Sequence, residues 1–127
     1  MNTVRIAERA AELPHGLTRE SCIRMLAQEV AERWFPGLTA ELAGSAWARE
    51  QVEPTYLGRG LAVPHARVEG LPMAAVYVAK GAAVPWPEEN ADCVALLCVP
   101  AESPELHLQL LSRIVRWRMK GGELQFD

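Results

Sequence analysis

Two histidines and one arginine are the side chains of this 127-residue chain best suited to chemistry. His65 follows Pro64 directly after the short apolar run Leu61–Val63. A proline fixes its own φ and biases the preceding residue towards extended geometry. The pair is therefore expected to end a strand sharply and aim the next side chain off the sheet edge, where α/β sheets often bind ligands. An imidazole switches between nucleophile and leaving group near neutral pH. The plainer reading is a loop histidine with ordinary hydrogen bonds.

His107 is the fourth residue of a helix counted from Pro104. Near a helix N-terminus the dipole disfavours imidazolium, and unpaired amides can hold an anion or oxyanion. A half-buried histidine packed beside Leu110 and Leu111 is the competing reading. Arg49 stands at the end of another helix, in "AREQVEPTYLG". Its guanidinium offers a permanent planar charge to phosphate oxygens, or else it is a solvated cation at a helix end. His15, in "LPHG", reads as a surface turn residue, and Arg59 and Arg67 as surface cations flanking the His65 loop.

Other chemistries find little support. The chain has no G-x-S-x-G, no Walker A loop and no H-E-x-x-H. Cys22, Cys93 and Cys98 match no zinc spacing with the histidines, and their odd number and apolar settings read as reduced thiols of a cytoplasmic protein. Glu88, Glu89 and Asp92 fall in a stretch that reads as a solvated loop, with nothing to pair them as a carboxylate dyad.

The elements that must position these residues are well marked. "LTRESCIRMLAQEVAERW" has Thr18 as a helix cap, then Ile23, Leu26, Ala27, Val30 and Ala31 at helical spacing, and stops at Pro36-Gly37. A second helix is expected over about residues 39–50, capped by Thr39, with Leu42, Ala46 and Trp47 on its apolar side. "GLAV", "PMAAVYVAK" and "DCVALLCV" read as three strands, the last two buried on both faces. Between those two, residues 84–92 are expected to loop, because their prolines lack the amide hydrogen of a central strand. The last helix has Ser103 as N-cap, Pro104 at its first position and Gly121-Gly122 as its stop. Its apolar face is Leu106, Leu110, Ile114 and Trp117. The order helix, helix, strand, strand, strand, helix indicates an α/β or α+β domain, a sheet layered against helices.

Composition sets the frame. The length suits one domain over residues 1–127, and half the residues are hydrophobic, enough for a real core. The formal net charge is -3, unlike the basic balance of a nucleic-acid binder. Arg113, Arg116, Arg118 and Lys120 crowd one segment and read as cations suited to a helix C-terminus rather than a polyanion site. No apolar run approaches the roughly 20 residues of a membrane span, and "MNTVRIAERAAELPHG" lacks the apolar stretch of a signal peptide.

The ordered stretch "REQVEPTYLGRGLAVPHA" closely resembles the active-site signature of phosphotransferase system enzyme IIA domains of the mannitol–fructose class, which includes the nitrogen-regulatory branch. The resemblance rests on Arg49-Glu50, Tyr56-Leu57-Gly58 and Ala62-Val63-Pro64-His65-Ala66, followed downstream by "HLQLLSRI". It implies a mixed β-sheet flanked by helices. It also implies that His65 accepts a phosphoryl group from phospho-HPr and passes it to a IIB cysteine, in carbohydrate uptake or a related regulatory relay. His107 matches the second active-site histidine and Arg49 the arginine that supports the phosphoryl group. No metal or organic cofactor is needed for such a transfer.

The alternative is a regulatory binding module of the same fold that signals to a target by protein contact, with phosphotransfer weak or absent. Two departures stand out. Ala66 occupies a place where the family more often has glycine. Family domains also usually continue with about two short helices after the His107-type helix, whereas this sequence ends in "GGELQFD". That shortened end leaves apolar surface for a partner or a second copy to cover, so a homodimer is an expectation.

Overall fold

The two valine-rich runs become the long central strands of a mixed six-stranded sheet. A computed structural model describes residues 4–124; Met1–Thr3, and Gln125–Asp127 of the short end discussed above, lie outside the described residues. In chain order the elements are β1 (Val4–Glu8), α1 (Arg19–Trp34), α2 (Thr39–Val52), β2 (Tyr56–Gly58), β3 (Leu61–Ala62), β4 (His65–Val68), β5 (Ala74–Pro85), β6 (Asn90–Pro100) and α3 (Pro104–Lys120). The sheet runs β1-β5-β6-β3-β2, with β4 also on β6. β5 and β6 are antiparallel, while β1 joins β5, and β3 and β4 join β6, in parallel. This is the expected mixed sheet flanked by helices.

Side-chain alternation divides the core into two layers. Ala75, Tyr77 and Ala79 of β5, with Val94, Leu96 and Cys98 of β6, face a cluster built with α1 and α2. Ala74, Val76, Val78, Cys93, Ala95, Leu97 and Val99 face the opposite way, against Leu106, Leu110 and Ile114 of α3. All three cysteines are free and buried, as expected. α1 begins with a reciprocal cap: Thr18 Oγ1 accepts from Ser21 N at 3.0 Å, and Ser21 Oγ accepts from Thr18 N at 2.8 Å.

Several local expectations are corrected. Leu38, not Thr39, is the N-cap of α2, and it supplies no side-chain cap. Ser103 holds the N-cap position of α3 but likewise makes no capping bond. The loop expected over 84–92 shrinks to a tight hairpin turn, because Val84 pairs with Ala91 and Pro85 with Asn90. Pro85 is tolerated as the last residue of its strand, where one missing amide ends the ladder without breaking it. Three strands were not anticipated: β1, β4 and the three-residue β2, which pairs with β3. β1 is short, carries Arg5 and Glu8 outward, and pairs on one side only. β4 begins at His65 itself.

Pro64 therefore interrupts a strand rather than ending it. β3 pairs with Cys93 and Val94, β4 resumes the parallel ladder at Leu97–Pro100, and the Pro64 carbonyl between them accepts from Leu97 N at 2.9 Å. β2 and β3 are joined through Gly58, Arg59 and Gly60, all at positive φ. A Cβ on Gly60 would stand 2.4 Å from Asp92 Oδ1, so the turn needs glycine there for space as well as conformation. Arg118 of α3 fastens the same turn, donating to Arg59 O and Asp92 Oδ1 at 2.9 Å each. That contact accounts for one of the clustered cations of the last helix.

Candidate functional site

Four segments distant in sequence converge on one open cleft of about 520 Å³. Its lining includes Arg49 from α2, Thr55, Tyr56 and Leu57 from the next segment and β2, His65 from β4, and Leu111 from α3. His107 stands beside it, with its ring centroid 5.8 Å from that of His65. The three residues singled out in the sequence thus come together.

His65 is locked by its neighbours on both sides. Its backbone is in the β4–β6 ladder, and Pro64 restricts the approach. Nδ1 is buried and lacks a hydrogen-bond partner, while the residue lines the cleft. Burial is the main cause that pushes the imidazole pKa down to about 4, with the positive field of Arg49 and the second imidazole of His107 acting in the same direction. The Pro64 carbonyl and the Glu50 carboxylate oppose this more weakly. His65 is therefore neutral, with a free lone pair, throughout the physiological pH range.

His107 is oriented by its own helix terminus. Its Nδ1 donates to Pro104 O in the first turn of α3, which fixes the orientation of the ring. Arg49 closes the last turn of α2, with Nη1 donating to Glu53 O at 2.7 Å. This bond satisfies a carbonyl at the helix end and directs the guanidinium to the cleft wall.

The rim carries residues that the sequence reading gave no role. Tyr56 Oη accepts from Gly60 N at 2.9 Å and donates to Glu89 Oε2 at 3.0 Å, tying the β2–β3 turn to the β5–β6 hairpin. Beneath it lies Glu50, only 1 % exposed. It accepts from Thr55 N at 2.8 Å, from Thr55 Oγ1, and from Trp86 Nε1 at 2.8 Å. A signal for Glu50 was present: Leu42, Ala46 and Glu50 recur at a four-residue spacing, which puts a carboxylate on the apolar side of α2. Thr55 and Trp86 carried no comparable local signal, since only the fold brings them to that carboxylate.

Among the described residues no group of histidines, cysteines and carboxylates could hold a metal ion. No helix of the described residues is long and apolar enough to cross a membrane. His15 is exposed in a turn, as expected.

Comparison with known proteins places the chain in a family and a fold. The family described as "Phosphoenolpyruvate-dependent sugar phosphotransferase system, EIIA 2" matches residues 8–125. The 2-O-alpha-mannosyl-D-glycerate-specific EIIABC component of Escherichia coli K12 is 34% identical over 103 residues, covering 76% of this chain and 16% of that protein. Multiphosphoryl transfer protein 2 of the same organism is 31% identical over 78 residues, 60% of this chain and 9% of that protein. The chain thus spans only a small part of the length of these relatives.

Among solved structures, the nitrogen regulatory protein IIA-Ntr of Neisseria meningitidis superposes with a TM-score of 0.72 at 19% identity, over 93% of this chain and 79% of that one. IIA mannitol of Escherichia coli gives 0.61 at 22% identity, over 86% and 77%. These two share the fold. The chain belongs to the EIIA 2 family of the phosphoenolpyruvate-dependent sugar phosphotransferase system.

Proposed function

We propose that the chain is a IIA phosphocarrier working in the cytoplasm, with His65 as the residue that carries the phosphoryl group. The observation behind this reading is a neutral imidazole, fixed by its place in the β4–β6 ladder, that lines an open cleft together with a guanidinium. The lone pair of His65 Nε2 attacks the phosphorus of a phosphohistidine on an HPr-type donor. A new N–P bond forms as the donor's N–P bond breaks, and the donor imidazole leaves. In the second step a cysteine thiolate of a IIB protein attacks the same phosphorus, and His65 leaves neutral.

The transition state spreads charge over three equatorial oxygens, so catalysis consists mainly of positioning and charge stabilisation. Arg49 supplies the permanent cation. His107 offers its ring beside His65, oriented through Nδ1. The protein needs no metal for this role.

The surroundings suit a protein donor and acceptor. Val52, Leu57 and Leu108 are exposed apolar side chains on the three segments that frame the imidazoles. Glu53 and Glu88 line the same cleft. Apolar contacts ringed by acidic groups fit a partner with a basic rim. A complex of enzyme IIA mannitol with phosphorylated enzyme IIB from Escherichia coli shares this fold, with a TM-score of 0.61 and 20% identity, and supports a IIB partner by analogy.

The test is intact-mass spectrometry after incubation with enzyme I, HPr and phosphoenolpyruvate, kept at neutral or basic pH because phosphohistidine is acid-labile. One added phosphate, lost in His65→Ala, is the expected result. Phosphorylated HPr beside an unmodified chain would overturn the carrier role and favour a module that acts by contact alone.

A further inference from the structure

Glu50 is a buried carboxylate that the phosphoryl chemistry does not touch. Its side chain has no exposed surface. Taking a charge out of water is expensive unless hydrogen bonds and a counter-charge compensate it, and an apolar residue would serve packing alone more simply. Its ion-pair partner is Arg19, at 3.6 Å from Oε2, whose guanidinium also stacks over Trp47 at 5.2 Å. Arg49, the adjacent residue, does not neutralise it: its bond goes to Glu53 O, and it lines the cleft.

The three hydrogen bonds of Glu50 link its own helix end to two other parts of the site. The carboxylate belongs to the last turn of α2, beside Arg49. Thr55, held through both N and Oγ1, accepts from Val63 N at 3.0 Å through its own carbonyl, two residues before His65. Trp86, held through Nε1, opens the β5–β6 turn, where its N donates to Glu89 O at 3.1 Å. Glu89 in turn receives the Tyr56 hydroxyl. One carboxylate therefore joins the helix end that aims Arg49, the strand that delivers His65, and the hairpin that forms the rim.

We propose that Glu50 is the positioning residue of this site, its clasp on Thr55 and Trp86 setting Arg49 and His65 at the separation that transfer requires. The inference rests on the reading of His65 as phosphoryl acceptor. A glutamine at position 50 keeps the shape but turns an N–H donor towards one of the donors the carboxylate now accepts. Small displacements of reacting groups cost far more in rate than in stability.

The experiment compares Glu50→Gln and Trp86→Phe with wild type. Val30→Ala, a fully buried position on α1, serves as a control for general destabilisation. NMR records the His65 ring and Arg49 Nε–H resonances with no donor present. Single-turnover uptake from phosphorylated HPr then gives a maximal rate and a half-saturating concentration. Both site variants are expected to shift the two sets of resonances, Glu50→Gln the more. Glu50→Gln should lower the maximal rate about tenfold to a hundredfold, with less than about a twofold change in half-saturation. Val30→Ala should lose melting temperature without moving the resonances or the rate.

Wild-type resonances in a folded Glu50→Gln chain overturn the positioning role, whether or not the chain takes phosphate. If Glu50→Gln does not fold, Trp86→Phe decides by the same readouts. A wild-type chain that takes no phosphate overturns the His65 reading instead, and the resonances still decide for or against Glu50.

Discussion

Glu29 of α1 and Glu50 of α2 both accept a hydrogen bond from an aromatic side chain of the sheet, Tyr77 Oη at 2.7 Å in one case and Trp86 Nε1 at 2.8 Å in the other. Their counter-ions differ. Arg9 gives Nε to both oxygens of Glu29, at 2.9 and 3.1 Å, and its Nη1 holds Ala11 O and Glu12 O. That cation is fully engaged, and the cluster fastens the segment after β1 to α1. Around Glu50 the donors are a backbone amide, a hydroxyl and an indole, and the neighbouring Arg49 is left to the cleft. The same acid on the same side of the sheet closes a structural clasp at one end and is hydrogen-bonded to a cleft-lining segment at the other. What separates them is how closely a guanidinium is engaged: Arg9 hydrogen-bonds Glu29 through Nε, whereas Arg19 stands 3.6 Å from Glu50 and Arg49 lines the cleft.

The sharpest challenge to this contrast is His65→Ala, which should reduce phosphate uptake to background while leaving the Arg9–Glu29–Tyr77 cluster and the melting temperature close to wild type. Full labelling of that variant in an intact-mass measurement would remove the site from this end of the molecule. Next in size is Arg49→Leu. Losing one well-placed cation costs roughly 3 kcal/mol in the transition state, about a hundredfold in single-turnover rate. A rate within about twofold of wild type would show that Arg49 is as structural as Arg9.

A third measurement concerns pH. The unfolded His65 takes a proton near pH 6.5, whereas burial holds the folded ring neutral down to about 4. Stability is therefore fully present above pH 6.5 and falls as pH drops through the window to about 4, by up to about 3 kcal/mol. Urea midpoints against pH should show this slope in wild type and lose it in His65→Asn; equal slopes would place its origin elsewhere. The smallest effect belongs to the structural clasp. Arg9→Leu should cost about 1–2 kcal/mol of stability by leaving Glu29 with Tyr77 alone, and should leave the uptake rate unchanged. A slowed transfer in that variant would merge the two regions.

Much of the fold was legible. The helices over 19–34 and 104–120 declared themselves through apolar spacing and end signals, and the two central strands through continuous valine-rich runs. β1 was missed because five residues with outward charges, paired on one side, look like any polar segment. The hairpin at 84–92 was misread because proline forbids an amide bond but not a place at the end of a strand. At the site, His65, His107 and Arg49 were each visible from local chemistry and from the resemblance their spacing carries. Glu50 stood in the quoted motif without a role, since nothing local indicates that Thr55 and Trp86 converge on it.

By itself the sequence determined the two-layer pattern of the central strands, the helix ends, and which three side chains are candidates for phosphoryl chemistry. These depend on near neighbours: alternation, caps, and a proline before a histidine. Only the tertiary structure decided that His65 starts a strand, that its Nδ1 is buried, and that burial keeps the ring neutral. It also decided that Arg49 lines the cleft and that Glu50 accepts hydrogen bonds from Thr55 and Trp86. Protonation, desolvation and hydrogen-bond partnership depend on what surrounds a group in space, and here that surrounding is drawn from segments far apart in the chain, as Glu50 and Trp86 are.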